Sequence, residues 1–319
     1  MQNLYDYQGN VLDIGYPPNS IVFPEEYGAV GDGVTDDTTA LQTAINQKGF
    51  VLFGGGKTYK VTQTLRLYKN TIIDLNGSTI NCTNKHLFFN FLRGATTSAY
   101  NGEGNLVIRN GTIIGGAISL VHAEDILLDN LILKNSINDH FLEICACKNY
   151  VIRNCRFVGM EYLTTSVMEY INIDPCYLTP FPWNDNIPSF YDGTVNDGIT
   201  IDGCYVSIGS EDYANGFNAI GVHASDGQKH QKVRIINNEI SGFTGCGLRI
   251  NNMNDVLIEN NLVNLSANGT NGIKVGDVAQ STNVLIKNNV ITSSGTAITK
   301  ANSSTVFQSA DNDINPTFS

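Results

Sequence analysis

From Asn76 to Asn289 the chain repeats one pattern: a short β-branched run, an Asn- or Gly-led dipeptide, then another apolar residue or two. The dipeptides are Asn76-Gly77, Asn110-Gly111, Asn130-Leu131, Asn154-Cys155, Gly203-Cys204, Asn237-Asn238, Asn260-Asn261 and Asn288-Asn289. A degenerate copy is expected at Asn312-Asp313. The unit is roughly 20–25 residues with insertions, a period that marks solenoids. Anchored on the Asn, one column reads Ile108, Leu128, Ile152, Ile201, Ile235, Ile258 and Ile286, and a second reads Ile113, Leu133, Phe157, Val206, Ile240, Val263 and Ile291. Each unit is therefore a coil of short strands with like residues stacked on like. Asn suits the bend because it tolerates left-handed backbone and its amide can bond the amide of the next coil. Nine or so coils at ~4.8 Å would make a rod of roughly 40 Å.

A repeat through most of 319 residues argues for one elongated domain. The net charge of -11, with only 15% charged residues, argues against nucleic acid as a partner, since phosphate binding needs clustered Lys and Arg. The same acidity makes an anionic polysaccharide a less natural ligand unless local basic residues intervene. The seven cysteines are expected to be buried thiols, with Cys155 and Cys204 at equivalent inward positions two units apart. Cys145 and Cys147 are too close for an ordinary zinc site, so neither a metal nor another cofactor is expected. No signal peptide is visible, and no apolar run approaches the ~20 residues of a membrane span.

Residues 1–21 are expected to be an extended arm. In the cap region 22–60, a turn with Asp32, Asp36 and Asp37 leads into a helix expected over Asp37–Gln47, with Thr35 or Asp36 as N-cap. The three carboxylates fit turn and cap chemistry better than a metal cluster, and the helix is placed to cover the first open coil of the repeat at 61–319. Gly54-Gly55-Gly56-Lys57 lacks the spacing of a P-loop and is a turn. The run from Tyr27-Gly28-Ala29-Val30-Gly31-Asp32-Gly33 to Asp37-Thr38, followed by Val51-Leu52-Phe53 and Gly56-Lys57-Thr58-Tyr59, resembles the N-terminal signature of the pectate-lyase-like superfamily. That group includes polygalacturonase-type glycoside hydrolases and phage tailspike depolymerases. The resemblance implies an all-β, single-stranded right-handed parallel β-helix with a short capping α-helix.

The strand before each Asn bend aligns too, with Leu142, Ile171, Ile220, Leu248 and Ile273 pointing inward. Alternation then sends Glu143, Asn172, Gly221, Arg249 and Lys274 outward in one column, Cys145, Asp174 and His223 in another, and Phe141 and Tyr170 in a third. Glu143, Asp174, His223 and Arg249 thus converge on one outer face, with Glu169 at the strand start and His140 in reserve. A Cα separation of about 8 Å between Glu143 and Asp174 would suit an inverting glycosidase. His223 would assist them, and Arg249 and Lys274 would hold the sugar. Asn172-Ile173-Asp174, Gly221-Val222-His223 and Leu248-Arg249-Ile250 resemble polygalacturonase motifs, but the Asp-Asp pair of that pattern is absent. The second carboxylate would come from Glu143, Glu169, Asp197 or Asp212. Insertions at 175–196, 209–217 and 224–232 would rim a groove, with Trp183 and other aromatics offered to sugar rings and His230 in the third loop.

The expected function is cleavage of a polysaccharide, foremost by hydrolysis, with Asp174, Glu143, Glu169 and His223 catalytic and Arg249, Asn172, Tyr170, Lys274, Trp183 and His230 binding. A polysaccharide lyase and a non-catalytic glycan-binding phage tail or adhesin module are the alternatives. The polar last coil, with no capping helix after it, would need cover, which a homotrimer would supply. An extracellular or virion-associated setting follows from that reading.

Overall fold

The structure, a computed structural model, describes residues 21–137, 140–161, 169–179, 182–208, 217–222, 229–265, 271–300 and 307–315. Among the described residues every strand pairing between coils is parallel, and the side-chain columns stack as the repeat requires. Leu128 pairs with Ile108 and Ile152, and Ile201, Ile235, Ile258 and Ile286 continue the row. The second column, from Ile113 through Phe157 to Ile291, is likewise in register. Both columns are buried and form one continuous core. The fold is a right-handed parallel β-helix.

One wall is a nine-stranded sheet that runs from Leu65–Arg66 through Leu142–Cys145 and Glu169–Asp174 to Thr296–Lys300. The other two walls share a set of twenty strands, because strands such as Glu124–Ile137 run straight through the Asn bend. At the bend the first residue is left-handed: φ is 61° at Asn110, 51° at Asn130, 53° at Asn154, 61° at Gly203, 57° at Asn237 and Asn260, and 55° at Asn288. Only Gly and Asn or Asp adopt such backbone at little cost. The last copy falls one residue earlier than expected, with Asp311 left-handed and Asn312 after it.

The second residue of the bend points inward. The Asn261 side-chain oxygen accepts the Asn238 backbone N–H and its Nδ2, both at 2.9 Å. Asn289 does the same for Asn261, and Asn312 for Asn289 at 3.0 and 2.9 Å. Each inward amide also donates to a strand carbonyl, as Asn261 Nδ2 does to Ile235 O at 2.9 Å. The result is a ladder in the dry interior. A second series of left-handed residues, Asn70, Asn105, Asp125, Asn149, Lys232, Asp255 and Asn283, marks another corner of the coil. The repeat as read from the first Asn column did not reveal it.

The helix spans Thr38–Asn46 and buries Leu41, Ala44 and Ile45 over the first coil. Its N-cap position is Asp37, whose carboxylate reaches back to the Val30 and Gly31 N–H groups at 2.7 and 3.2 Å instead of capping the helix. Asp36 accepts from the Thr38 N–H at 3.1 Å, and Asp32 from the N–H groups of Val34 and Thr35. The three carboxylates therefore serve backbone groups of the turn. Cys155 and Cys204 occupy adjacent coils, not coils two units apart, since their strands Lys148–Arg153 and Asp197–Asp202 pair directly. All seven cysteines are free and buried.

Asn261→Ala should lower stability by about 2–4 kcal/mol, because it strands the buried Asn238 N–H and Ile235 carbonyl, whereas Asn260→Gly should stay within about 0.5 kcal/mol by keeping the left-handed bend. Urea unfolding followed by circular dichroism reads both; equal effects would show that the ladder adds nothing beyond the bend.

Candidate functional site

The Leu142–Cys145 and Glu169–Asp174 strands lie side by side in the nine-stranded wall, with Glu143 opposite Asn172 and Cys145 opposite Asp174. Asn172 Nδ2 donates one N–H to Glu143 Oε2 at 3.2 Å and the other to Asp174 Oδ2 at 2.9 Å. Two oxygens bonded to one nitrogen are no more than about 6 Å apart, shorter than the ~6.5–9.5 Å of inverting glycosidases. The Cα spacing suggested a wider gap. The bridging amide draws the carboxylates together.

His140 stands beside Glu143, with Nε2 at 3.4 Å from Oε1. Its Nδ1 bonds the Glu169 carbonyl oxygen, an acceptor only, so Nδ1 carries a hydrogen and Nε2 faces the carboxyl group. One proton shared between Nε2 and Oε1 satisfies both. His140 therefore belongs to the centre of the face and not to its margin.

Glu169 accepts from Asn218 Nδ2 at 3.0 Å and lies 3.6 Å from Arg249 Nη1. Gly221 makes room for this pair: a Cβ there would sit 2.8 Å from Glu169 Cγ and 3.2 Å from Arg249 Cβ. Arg249 is also bonded to Asp277 at 3.2 Å, and Lys274 Nζ lies 2.8 Å from the same carboxylate. Burial pushes the Asp277 carboxyl up, but Lys274 and Arg249 outweigh it and hold the group below its ordinary value. The two cations are thus tied to protein carboxylates, not presented free. Asp277 went unread in the sequence; its place three residues after Lys274 was the available signal.

The face is not an open groove. Glu143 is 2% exposed, and Glu169, Asn172 and Asp174 are fully buried. Tyr170 does not point outward: Tyr170 and Ile171 both enter the core, which breaks the alternation at the start of the strand, and the Tyr170 ring packs edge-on against Phe243 at 4.8 Å and Phe141 at 5.1 Å. Asp197 pairs with Lys232 on another wall. His223 and Asp212 lie outside the described residues.

His230, expected in a loop over 224–232, instead opens the His230–Ile236 strand and is fully buried. Its Nδ1 accepts the Asn196 backbone N–H at 3.0 Å, while Asn196 Nδ2 bonds the backbone oxygen of Asp174 at 3.0 Å. It supports Asp174 from behind. Burial lowers its pKa to about 4, against a smaller upward pull from Asp174.

The 175–196 insertion is a clasp and not a platform. Arg93 Nε meets Asp185 at 2.6 Å, the Gly94 N–H donates to Asn184 Oδ1 at 2.6 Å, the Ala99 N–H to Asp192 Oδ2 at 2.8 Å, and the Tyr100 hydroxyl to the Val195 carbonyl at 2.9 Å. Phe190 is buried beneath it with Phe91, Val121, Cys145 and Cys176. Trp183 is half-buried, its ring edge-on to His86 at 4.5 Å and 4.1 Å from Lys85 Nζ, so the ring is already engaged by the protein. A cleft of about 470 Å³ lies elsewhere, lined in part by Arg66, Lys69, Phe91, Leu92, Arg93 and Glu103.

These coils and their register define a right-handed parallel β-helix with a short N-terminal helix, the fold that the N-terminal signature implied. Residues 24–157 match the family described as rhamnogalacturonase A/epimerase, pectate lyase-like. The chain is 28% identical over an alignment of 284 residues to plasmin and fibronectin-binding protein A of Streptococcus pneumoniae, covering 74% of this chain and 38% of that protein. Over 57 residues it is 46% identical to a capsule K30/K69-specific depolymerase of Klebsiella phage K64-1, covering 15% of this chain and 7% of the depolymerase. The chain thus spans well under half of these relatives. In structure it matches PfbA, a surface adhesin of Streptococcus pneumoniae, with a TM-score of 0.74 at 22% identity over 92% of this chain and 79% of the adhesin. It also matches a tailspike protein of E. coli bacteriophage HK620 solved with a pentasaccharide, with a TM-score of 0.61 at 12% identity over 92% and 66% of the two chains. No helix among the described residues is long and apolar enough to cross a membrane.

A buried histidine whose pKa falls from 6.5 to about 4 makes the unfolded chain bind more protons in acid. Its penalty should be absent above pH 6.5, grow as pH falls towards 4 and reach roughly 3 kcal/mol below that. Chemical unfolding of His230→Asn, which keeps an acceptor for Asn196, should show a correspondingly smaller loss between pH 6.5 and 4; an unchanged slope would clear His230 of the effect.

Proposed function

We propose that the chain cleaves a polysaccharide as a glycoside hydrolase, at the face that carries Glu143, Asp174 and Glu169. The observation that carries this reading is the contact of Glu143 and Asp174 through Asn172 across two coils, with His140 on Glu143. Burying charge costs several kcal/mol and a plain apolar wall would be cheaper, so such a cluster favours function over stability. Glu143, sharing a proton with His140, is the acid that protonates the glycosidic oxygen. Asp174 is the opposing carboxylate. Their short spacing supports direct attack by Asp174 at the anomeric carbon and net retention, whereas inversion would need a more widely spaced partner carboxylate, for which Glu169 is the candidate. Substrate entry requires the buried face to open.

A second reading, a glycan-binding module without catalysis, is favoured by that burial and by the open cleft beside Arg93. The adhesin among the structural neighbours fits it, as the depolymerase among the relatives fits the first. Both readings place the chain outside the cell or on a virion. Both also suit a trimer formed through the exposed strands Phe307–Ala310 and Asp313–Ile314.

A polysaccharide panel scored for reducing ends and for unsaturated products separates hydrolase, lyase and binder. Asp174→Asn and Glu143→Gln should each cut reducing-end release by about 10³-fold, with melting temperature unchanged or raised. Retained activity in both variants would sink the assignment. Proton NMR of fresh product should show retention; inversion would shift the role of second carboxylate to Glu169.

A further inference from the structure

Beneath the clasp lies a second chemical cluster that the carbohydrate reading does not use. His122, Cys145 and Cys176 are each fully buried. His122 has left-handed backbone, φ 53°, and places both ring nitrogens against carbonyl oxygens: Nδ1 at 2.7 Å from Ala99 O and Nε2 at 2.7 Å from Phe190 O. Carbonyl oxygens only accept, so both nitrogens must carry hydrogen and the ring is an imidazolium. A buried cation requires an anion nearby. Cys176 is the acid beside it: its sulfur lies against His122, donates as a thiol to the Phe190 carbonyl oxygen at 3.2 Å, and on ionising takes a hydrogen bond from the Cys145 thiol with which it packs.

The electrostatics agree with the contacts. The bond from Cys145 draws the Cys176 thiol down to about 7, burial opposes this, and His122 adds to the lowering. Burial pushes Cys145 well up, as it does Cys155, which bonds Cys204 in the core without a histidine. Asp192 faces Cys176, and Cys147 and Asp174 face Cys145. The molecule thus holds two stacked thiol pairs, one beside a cation and one not.

We propose that Cys145 and Cys176 are a reversible disulfide site, activated by His122, that staples the clasp to the strand carrying Glu143. Cys145 is two residues beyond Glu143 and Cys176 two beyond Asp174, so the bond would also fix the two strands of the candidate site. The Cys176 thiolate attacks one sulfur of a small disulfide, forming a mixed disulfide and releasing a thiolate. The Cys145 sulfur then displaces the second thiolate from Cys176. The thiol proton of Cys145 and one proton of His122 convert the two thiolates to thiols, so one disulfide is reduced as one is formed. His122, then neutral, gives up one of its two carbonyl bonds.

The test treats the native chain with bis(2-hydroxyethyl) disulfide and maps the linked peptides by mass spectrometry. A Cys145–Cys176 link is expected while Cys155 and Cys204 stay reduced. Seven persistent thiols, a link through Cys147, or equal rates in the two pairs would overturn the proposal. The linking rate should rise with pH about a midpoint near 7, and His122→Gln should slow it at least tenfold at pH 7. Should that variant not fold, the wild-type profile decides alone, a midpoint near 9 counting against. Once formed, the link should raise the melting temperature by several degrees, reversibly with dithiothreitol; an unchanged melting temperature would refute the staple.

Discussion

The fold depends on one recurring local event, a left-handed residue at the corner of each coil followed by an amide turned inward. The first residue sets the angle between two walls; the second converts a row of buried amides into a hydrogen-bonded column. Because a parallel strand slipped by one residue would reverse its inward and outward faces, the corner must hold register coil after coil. The asparagine column does this in the last coils, where Asn238, Asn261, Asn289 and Asn312 each bond the next. Everything placed on the nine-stranded wall inherits that register, Asn172 opposite Glu143 included.

How much of this was legible follows from the period of the signal. Columns stacked by the repeat, such as Leu128 on Ile152 on Ile201, could be read because stacking is a matter of counting from the bend. The neighbours of Glu143 were legible on the same count. What counting does not carry is how each side chain is oriented and covered. Tyr170 obeys alternation in sequence yet turns inward beside Ile171, and the contact of His140 with Glu143 joins two residues that alternation does not pair. Asp277 lies just beyond its strand, where the columns give no alignment. The aromatics of the 175–196 insertion were visible as residues, but their partners lie about ninety positions upstream, and no local rule connects Trp183 with His86 or Asp185 with Arg93.

The carboxylate cluster and the thiol cluster share two strands but belong to different media. Glu143 and Asp174 are joined by an amide with hydrogens for both, so the charge is distributed through hydrogen bonds. His122 stands between the carbonyls of Ala99 and Phe190, which call for two N–H donors, with the Cys176 sulfur against its ring. Carboxylate chemistry on one segment and sulfur chemistry on its continuation place two separately tunable groups within a few residues of each other.

The clasp has a mechanical consequence of its own. A solenoid is close to one-dimensional, each coil bonded to the next, so disorder can enter at an end and travel inward one coil at a time. The contacts of 93–100 with 184–195 join the coil after the His86–Phe89 strand directly to the coil after Glu169–Asp174, while His122 and Val121 of a coil between them pack beneath. Four coils then become a single cooperative block in an otherwise sequential rod. Fraying from either end should stall at that block, and a disturbance at its N-terminal margin has a direct route to the strand of Asp174 in addition to the one through successive coils.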